Sequence, residues 1–261
     1  RLAADGALFW ASERDAPKGG APFLSRIAPP PPAAGAGGVG VPAARAEETL
    51  RIPAPGYYAP RFEGETRVAG VRENLGFESL TIAPDGRLVA ANEGPLVQDA
   101  EKPSLAAGAP ARVLLLEPDG TPVREHLYPV DPLPARPIPA DGFATSGLVE
   151  MLSDPAGGGL LALERSFAVG QGHVVKLYRT DFAGAQDVLG RESAADVPPG
   201  AQMRKRLLHT IQAGAHVDYV DNIEAITFGP EIAGDRTLVL ISDNNFNPRQ
   251  ATQVLAYRLK E

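Results

Sequence analysis

The sequence predicts an all-β protein, and within that class a β-propeller of four-stranded antiparallel blades. Three observations carry this expectation: an abundance of turn residues, a turn–strand–acid unit that recurs four times, and a second acid-bearing strand ahead of three of those units. Glycine occurs 28 times and proline 26 times in 261 residues, which favours turns over long helices.

The recurring unit occupies residues 4–13, 84–93, 157–164 and 235–243, each a short apolar run ending in an acid. Its terminal acids, Glu13, Glu93, Glu164 and Asp243, are spaced by roughly 70 to 80 residues, the order of a large blade with insertions. Three units are preceded by a second piece, residues 76–80, 148–152 and 222–226, which aligns Glu78, Glu150 and Glu224. An Asp-Gly or similar turn between two apolar runs is a hairpin signal. Outer strands follow: residues 112–116 with 123–128, then 173–179 with 186–189, then 252–259. Four strands in a meander make one blade. A β-sandwich is the alternative, but its strands do not normally repeat in sets of four with acids at matching positions. The first unit lacks an opening strand and the last an outermost one, so either the termini complete one shared blade or upstream blades are missing.

Residues 1–261 read as one domain carrying a Pro/Gly/Ala-rich insertion at about 28–46. That insertion contains a formal G-x-G-x-x-G at residues 35–40, but a dinucleotide site needs a strand before it and a helix after it, and prolines stand on both sides. The formal charge of −7 argues against a nucleic-acid partner, and no apolar run is long enough to span a membrane. With no cysteine, disulfides, thiolate nucleophiles and Cys-based metal sites are excluded. No signal peptide is visible in the chain, which opens at Arg1 in sequence that already reads as folded.

No nucleophile elbow, zincin motif, P-loop or EF-hand loop is present. His126, His173, His209 and His216 show no ligand spacing and read as packed or surface residues. Trp10, Phe77 and Phe228 read as core. The acids differ, because equivalent strand ends in a propeller point to one end of its channel. This would gather Glu78, Glu93, Glu150, Glu164, Glu224 and Asp243. So many like charges require compensation, and a hard cation such as Ca²⁺ supplies it. Asn222 and Asn244 could add neutral oxygens, whereas Arg165 could instead neutralise part of the charge. The plainer reading is that these acids cap strand ends.

Residues 74–80 (Asn-Leu-Gly-Phe-Glu-Ser-Leu) and 84–87 (Pro-Asp-Gly-Arg), followed by Asn92-Glu93-Gly94 and Val97-Gln98-Asp99, resemble the bacterial phytase-like family, described as having esterase-like activity of phytase. Residues 221–226 (Asp-Asn-Ile-Glu-Ala-Ile) and 242–246 (Ser-Asp-Asn-Asn-Phe) are similar to its C-terminal signatures. Ser79 and Ala225 depart from it, standing where glycine is common. The resemblance implies a six-bladed propeller, a periplasmic or secreted location, and architecture shared with calcium-dependent alkaline phytases.

The expected function is Ca²⁺-dependent hydrolysis of a small-molecule ester by a monomer, with phosphate esters favoured over carboxylic ones. Under that reading Glu93 and Glu164 are catalytic. Glu78, Glu150, Glu224, Asp243, Asn222 and Asn244 are metal ligands, and Arg165 and Arg249 grip the substrate. Two alternatives stay open: a cation-stabilised binding propeller without catalysis, and a metal-dependent lactonase.

Overall fold

The computed structural model describes residues 1–13, 20–29, 47–155, 159–215 and 217–259. Most of the Pro/Gly/Ala-rich insertion, with its glycine motif, and His216 lie outside the described residues.

The chain is all-β and built from successive antiparallel meanders. The first sheet joins β1 (Leu8–Ser12), β2 (Phe23–Ile27) and β3 (Glu48–Pro53). A hairpin of β4 (Arg61–Glu63) and β5 (Thr66–Ala69) leads to the second sheet. That sheet contains β6 (Phe77–Ile82), β7 (Leu88–Asn92), β8 (Ala109–Leu116) and β9 (Pro122–Val130) in chain order. The third repeats the pattern with β10 (Ala144–Ser153), β11 (Leu160–Ala168), β12 (Gly172–Asp181) and β13 (Arg204–Gln212). The fourth comprises β14 (Ile223–Ile232), β15 (Asp235–Ser242) and β16 (Val254–Arg258). Two single turns of 3-10 helix, Gly56–Tyr58 and Pro199–Ala201, complete the regular structure of the described residues.

The predicted hairpin turns form for a local reason. In three of the four Asp-Gly pairs the aspartate accepts a hydrogen bond from the backbone N–H two residues on: Asp5 from Ala7, Asp85 from Arg87 and Asp119 from Thr121. The following glycine takes a left-handed φ of 81°, 89° or 91°, which a side chain would resist.

Each inner sheet is apolar on both faces, so the sheets stack. Along β7 and β8, Val89, Ala91, Val113 and Leu115 pack against Leu148, Met151, Leu160 and Ala162 of the third sheet. The alternate residues Leu88, Ala90, Leu114 and Leu116 face Phe9, Leu24 and Ile52 of the first. Leu161, Leu163, Val175 and Leu177 in turn meet Ile223, Ile226, Leu238 and Leu240 of the fourth. Burial on both faces explains why these strands read as continuous apolar runs rather than alternating ones.

The first strands of the meanders lie side by side. Arg1 shows this most directly: its guanidinium donates to the carbonyls of Leu80 on β6 (2.7 Å), Met151 on β10 (3.3 Å) and Ile226 on β14 (3.3 Å). β1 corresponds to β7, β11 and β15, because residues 1–3 lie along its free side through the Leu2–Leu8 bridge.

Two expectations are corrected. The partner of β12 is β13, whereas residues 186–189 form a loop in which Val188 packs with Leu127, Ala194 and Val197. Apolarity there reflects a satellite core, not a strand. Trp10 is 39% exposed on the open face of β1, opposite the buried Phe9, and Phe228 is half-buried; Phe77 is core as expected.

Leu114 is fully buried between two sheets. Leu114→Ala should lower stability by about 2–5 kcal/mol through lost transfer energy and a residual cavity. Leu8→Ala, on the exposed face of β1, should change it by less than about 0.5 kcal/mol. Urea unfolding of both variants measures the difference.

Candidate functional site

The first strands of the second, third and fourth sheets each carry a β-bulge. The pairing register slips at Glu78 in β6, Val149 in β10 and Glu224 in β14. Phe77, Leu148 and Ile223 are therefore equivalent, pairing with Asn92, Glu164 and Ser242 respectively. Counting on from them, Arg1 binds the third carbonyl after the equivalent residue in all three strands.

This register displaces the third unit by one residue from the sequence alignment. Val149, not Glu150, is the counterpart of Glu78 and Glu224. Arg165, not Glu164, is the counterpart of Glu93 and Asp243. Because side chains alternate across a strand, a shift of one residue sends each to the opposite face.

Successive sheets meet at a repeated junction. Gly76, just before β6, lies against the backbone of Glu13, so closely that a Cβ there would stand 2.0 Å from the Glu13 carbonyl oxygen. Gly147 is its equivalent in β10, and a Cβ there would meet Glu93 Cγ at 2.4 Å. At the third junction Arg165 reaches Glu224 (3.2 Å), and Glu224 also accepts from the Asn222 side chain (2.8 Å). Glu13 and Glu93, which follow β1 and β7, and Arg165 within β11 are brought together by these close approaches.

They open onto a cavity of about 1120 Å³ lined in part by Glu78, Glu93, Arg165, Asn222 and Glu224. Arg165 bridges Glu93 (3.1 Å) and Glu224, while its Nε is buried without a hydrogen-bond partner. Burial, then the neighbouring Glu93, Glu13 and Glu224 carboxylates, push Glu78 up to about 8. Burial also pushes Glu93 up to about 7, against the opposing pull of Arg165. Burial, with the nearby Arg165 charge, lowers His173, so it faces the cavity as a neutral ring.

Glu13, Glu78 and Glu93 each offer a carboxylate oxygen, and these lie within 4.8 Å of one another. Oxygens sharing one Ca²⁺ at about 2.3–2.6 Å stand no more than about 5 Å apart, so the donor set fits a hard cation in both chemistry and spacing.

The remaining predicted residues lie elsewhere. Glu150 pairs with Arg1 (2.7 Å) and accepts from the backbone N–H of Leu80 and Met151; burial pushes it up to about 7. Glu164 faces the second sheet, where it accepts from Tyr128 (2.8 Å) and the Asp131 N–H (3.0 Å), and it also accepts from Lys205 on β13. Asp243 is exposed and caps the N–H of Asn245, and Asn244 accepts from the Phe246 N–H. Arg249 is exposed and does not line the cavity. Glu13 completes the carboxylate cluster although it was not among the expected ligands; its place as the terminal acid of the first unit was the available signal.

Fold and site together define an all-β protein with a carboxylate-rich pocket at its strand ends, suited to a hard cation beside a paired arginine. The chain belongs to the phytase-like family, described as esterase-like activity of phytase, whose model matches residues 1–246. Membership carries a phytase-like esterase function in general terms. No curated protein and no solved structure matches the chain. No helix among the described residues is long and apolar enough to cross a membrane.

Glu78 and Glu93 bind protons more tightly folded than unfolded, so metal-free protein should lose stability as pH rises from about 4.5 through about 8. Glu78→Gln should flatten that slope, as read from melting temperature against pH. Glu164→Gln should instead cost about 1–3 kcal/mol, because Tyr128 and Lys205 lose a buried charged partner.

Proposed function

We propose that this protein is a Ca²⁺-dependent ester hydrolase acting on a small phosphate ester, working as a monomer outside the cytoplasm. The observation that carries the proposal is the clustering of the Glu13, Glu78 and Glu93 oxygens beside a cavity that also exposes Arg165 and Glu224. The extracellular location rests on family membership alone, since a chain without cysteine suits either compartment.

In the same proposal the meanders are propeller blades. The convergence of three equivalent carbonyls on Arg1 supports a common axis.

Glu13, Glu78 and Glu93 would hold the ion. Bound there, it would polarise the ester oxygens and offset the substrate's negative charge. The Arg165 guanidinium, which lines the cavity, would donate to an anionic oxygen of the substrate. Glu224, held in place by Arg165 and Asn222, is the carboxylate outside the ion's donor set and acts as general base. It takes a proton from the attacking water as the water oxygen bonds to phosphorus. The ester P–O bond then breaks, and the departing alcohol oxygen takes a proton from solvent. Glu164 and Glu150 support the sheets around the site and take no part in the step.

Purified protein should hydrolyse p-nitrophenyl phosphate with Ca²⁺ and lose that activity in chelator. Glu224→Gln should lower kcat by about 10²–10⁴-fold while the melting temperature holds. Glu93→Gln should abolish the rise in melting temperature on adding Ca²⁺. Turnover of p-nitrophenyl acetate or of lactones, with none of the phosphate, would move the reaction to carboxylic esters or lactones. No turnover in Ca²⁺-stabilised protein would leave a binding protein.

A further inference from the structure

The cavity has a second, chemically different wall. Arg165 and Phe167 are two residues apart on β11, so they project from the same face of the third sheet, about 7 Å apart along the strand. Phe167 pairs with Thr145 on β10 and His173 on β12, and all three line the cavity. The Phe167 and His173 rings lie 4.8 Å apart, and Phe143 extends the row with its ring 6.3 Å from Phe167. Phe143 is 64% exposed at the cavity, and its ring continues the apolar surface of Phe167 instead of standing alone. The arrangement therefore places a strip of planar rings one strand step from the carboxylate and arginine end.

The charge distribution limits what the rest of the ligand can be. Among the described residues, five carboxylates line the cavity against three cations, Lys102, Arg165 and Lys176. Two of those cations are already committed: Arg165 to Glu93 and Glu224, and Lys176 to Asp131 at 2.6 Å. One divalent ion and Lys102, the third of these cations, compensate one anionic group. A polyol bearing several phosphates would set its further charges against the surrounding carboxylates.

We infer that the pocket selects esters carrying a single anionic group joined to an aromatic or similarly planar apolar body, which stacks along Phe143, Phe167 and His173. Heavily phosphorylated polyols are disfavoured. This inference rests on the ester-binding reading of the same pocket and names its substrate class.

Binding of non-hydrolysable probes tests it without relying on turnover. In isothermal titration calorimetry with Ca²⁺ present, phenylphosphonate should bind about tenfold more tightly than methylphosphonate. In Phe143→Ala and in the more conservative Phe167→Leu, the phenyl probe should fall towards its methyl counterpart. Benzoate against acetate forms a parallel pair. An aromatic preference confined to the carboxylates would uphold this inference and overturn the phosphate assignment. Equal binding of phenyl and methyl probes, no binding of any probe, or a preference unchanged in both variants would overturn the inference itself.

Discussion

Covering both faces of a sheet leaves little room for polar groups except along its edges and at the ends of its strands. The second and third sheets are buried in this way, with Leu88 and Val89 facing two different neighbours one residue apart. Stacked sheets bring equivalent positions of their strands side by side, and it is there that Glu13, Glu93 and Arg165 come together. The site follows from apolar packing. Gly76 and Gly147 complete the effect, since a side chain at either position would hold adjacent sheets apart.

Buried charge is handled in three ways, and the differences locate function. Arg112 lies fully buried with Asp99, which it grips through two nitrogens (2.7 and 2.9 Å), and with Glu125 (2.7 Å). Glu125 also accepts from Tyr57 and Tyr58, so the whole group is satisfied and closed. Around Asp131, burial would raise the carboxyl, but Lys176, Lys205 and Tyr178 outweigh it and hold it at about 2. The strand-end cluster is the exception, with one arginine shared among crowded carboxylates. Two of these, Glu78 and Glu93, are pushed up towards neutrality. Incomplete compensation at an open cavity distinguishes a site from a structural network.

The bulges give the site its chemistry. A bulge leaves one residue without a cross-strand partner and re-aims its side chain. At Glu78 and Glu224 that residue is an acid turned to the cavity, whereas at the matching position of the third sheet it is Val149, buried in the core. One sheet in the series therefore contributes a cation in place of carboxylates. Arg165, at the position of Glu93 and Asp243, makes the cluster bipolar.

Much of this was legible in the residues. Asp-Gly turns, apolar runs and the recurring acids defined an all-β chain of meanders and singled out Glu78, Glu93, Glu224, Asn222 and Arg165, because turn chemistry and burial are local or periodic properties. The third unit was misaligned by one residue, since Leu-Val-Glu matches Gly-Phe-Glu and Leu-Glu matches Asn-Glu equally well as text. Only cross-strand pairing reveals that Val149 occupies the bulge and that Glu164 turns towards Tyr128. The fourth strand of that sheet was hidden in the same way, because Val188 is apolar for a contact with Leu127 distant in sequence. Sequence by itself determined the all-β class, the Asp-Gly turns and most of the acids that surround the site. Tertiary structure decided which acids meet, because a side chain's face depends on hydrogen-bond register with a neighbouring strand, and register is not a property of either strand alone.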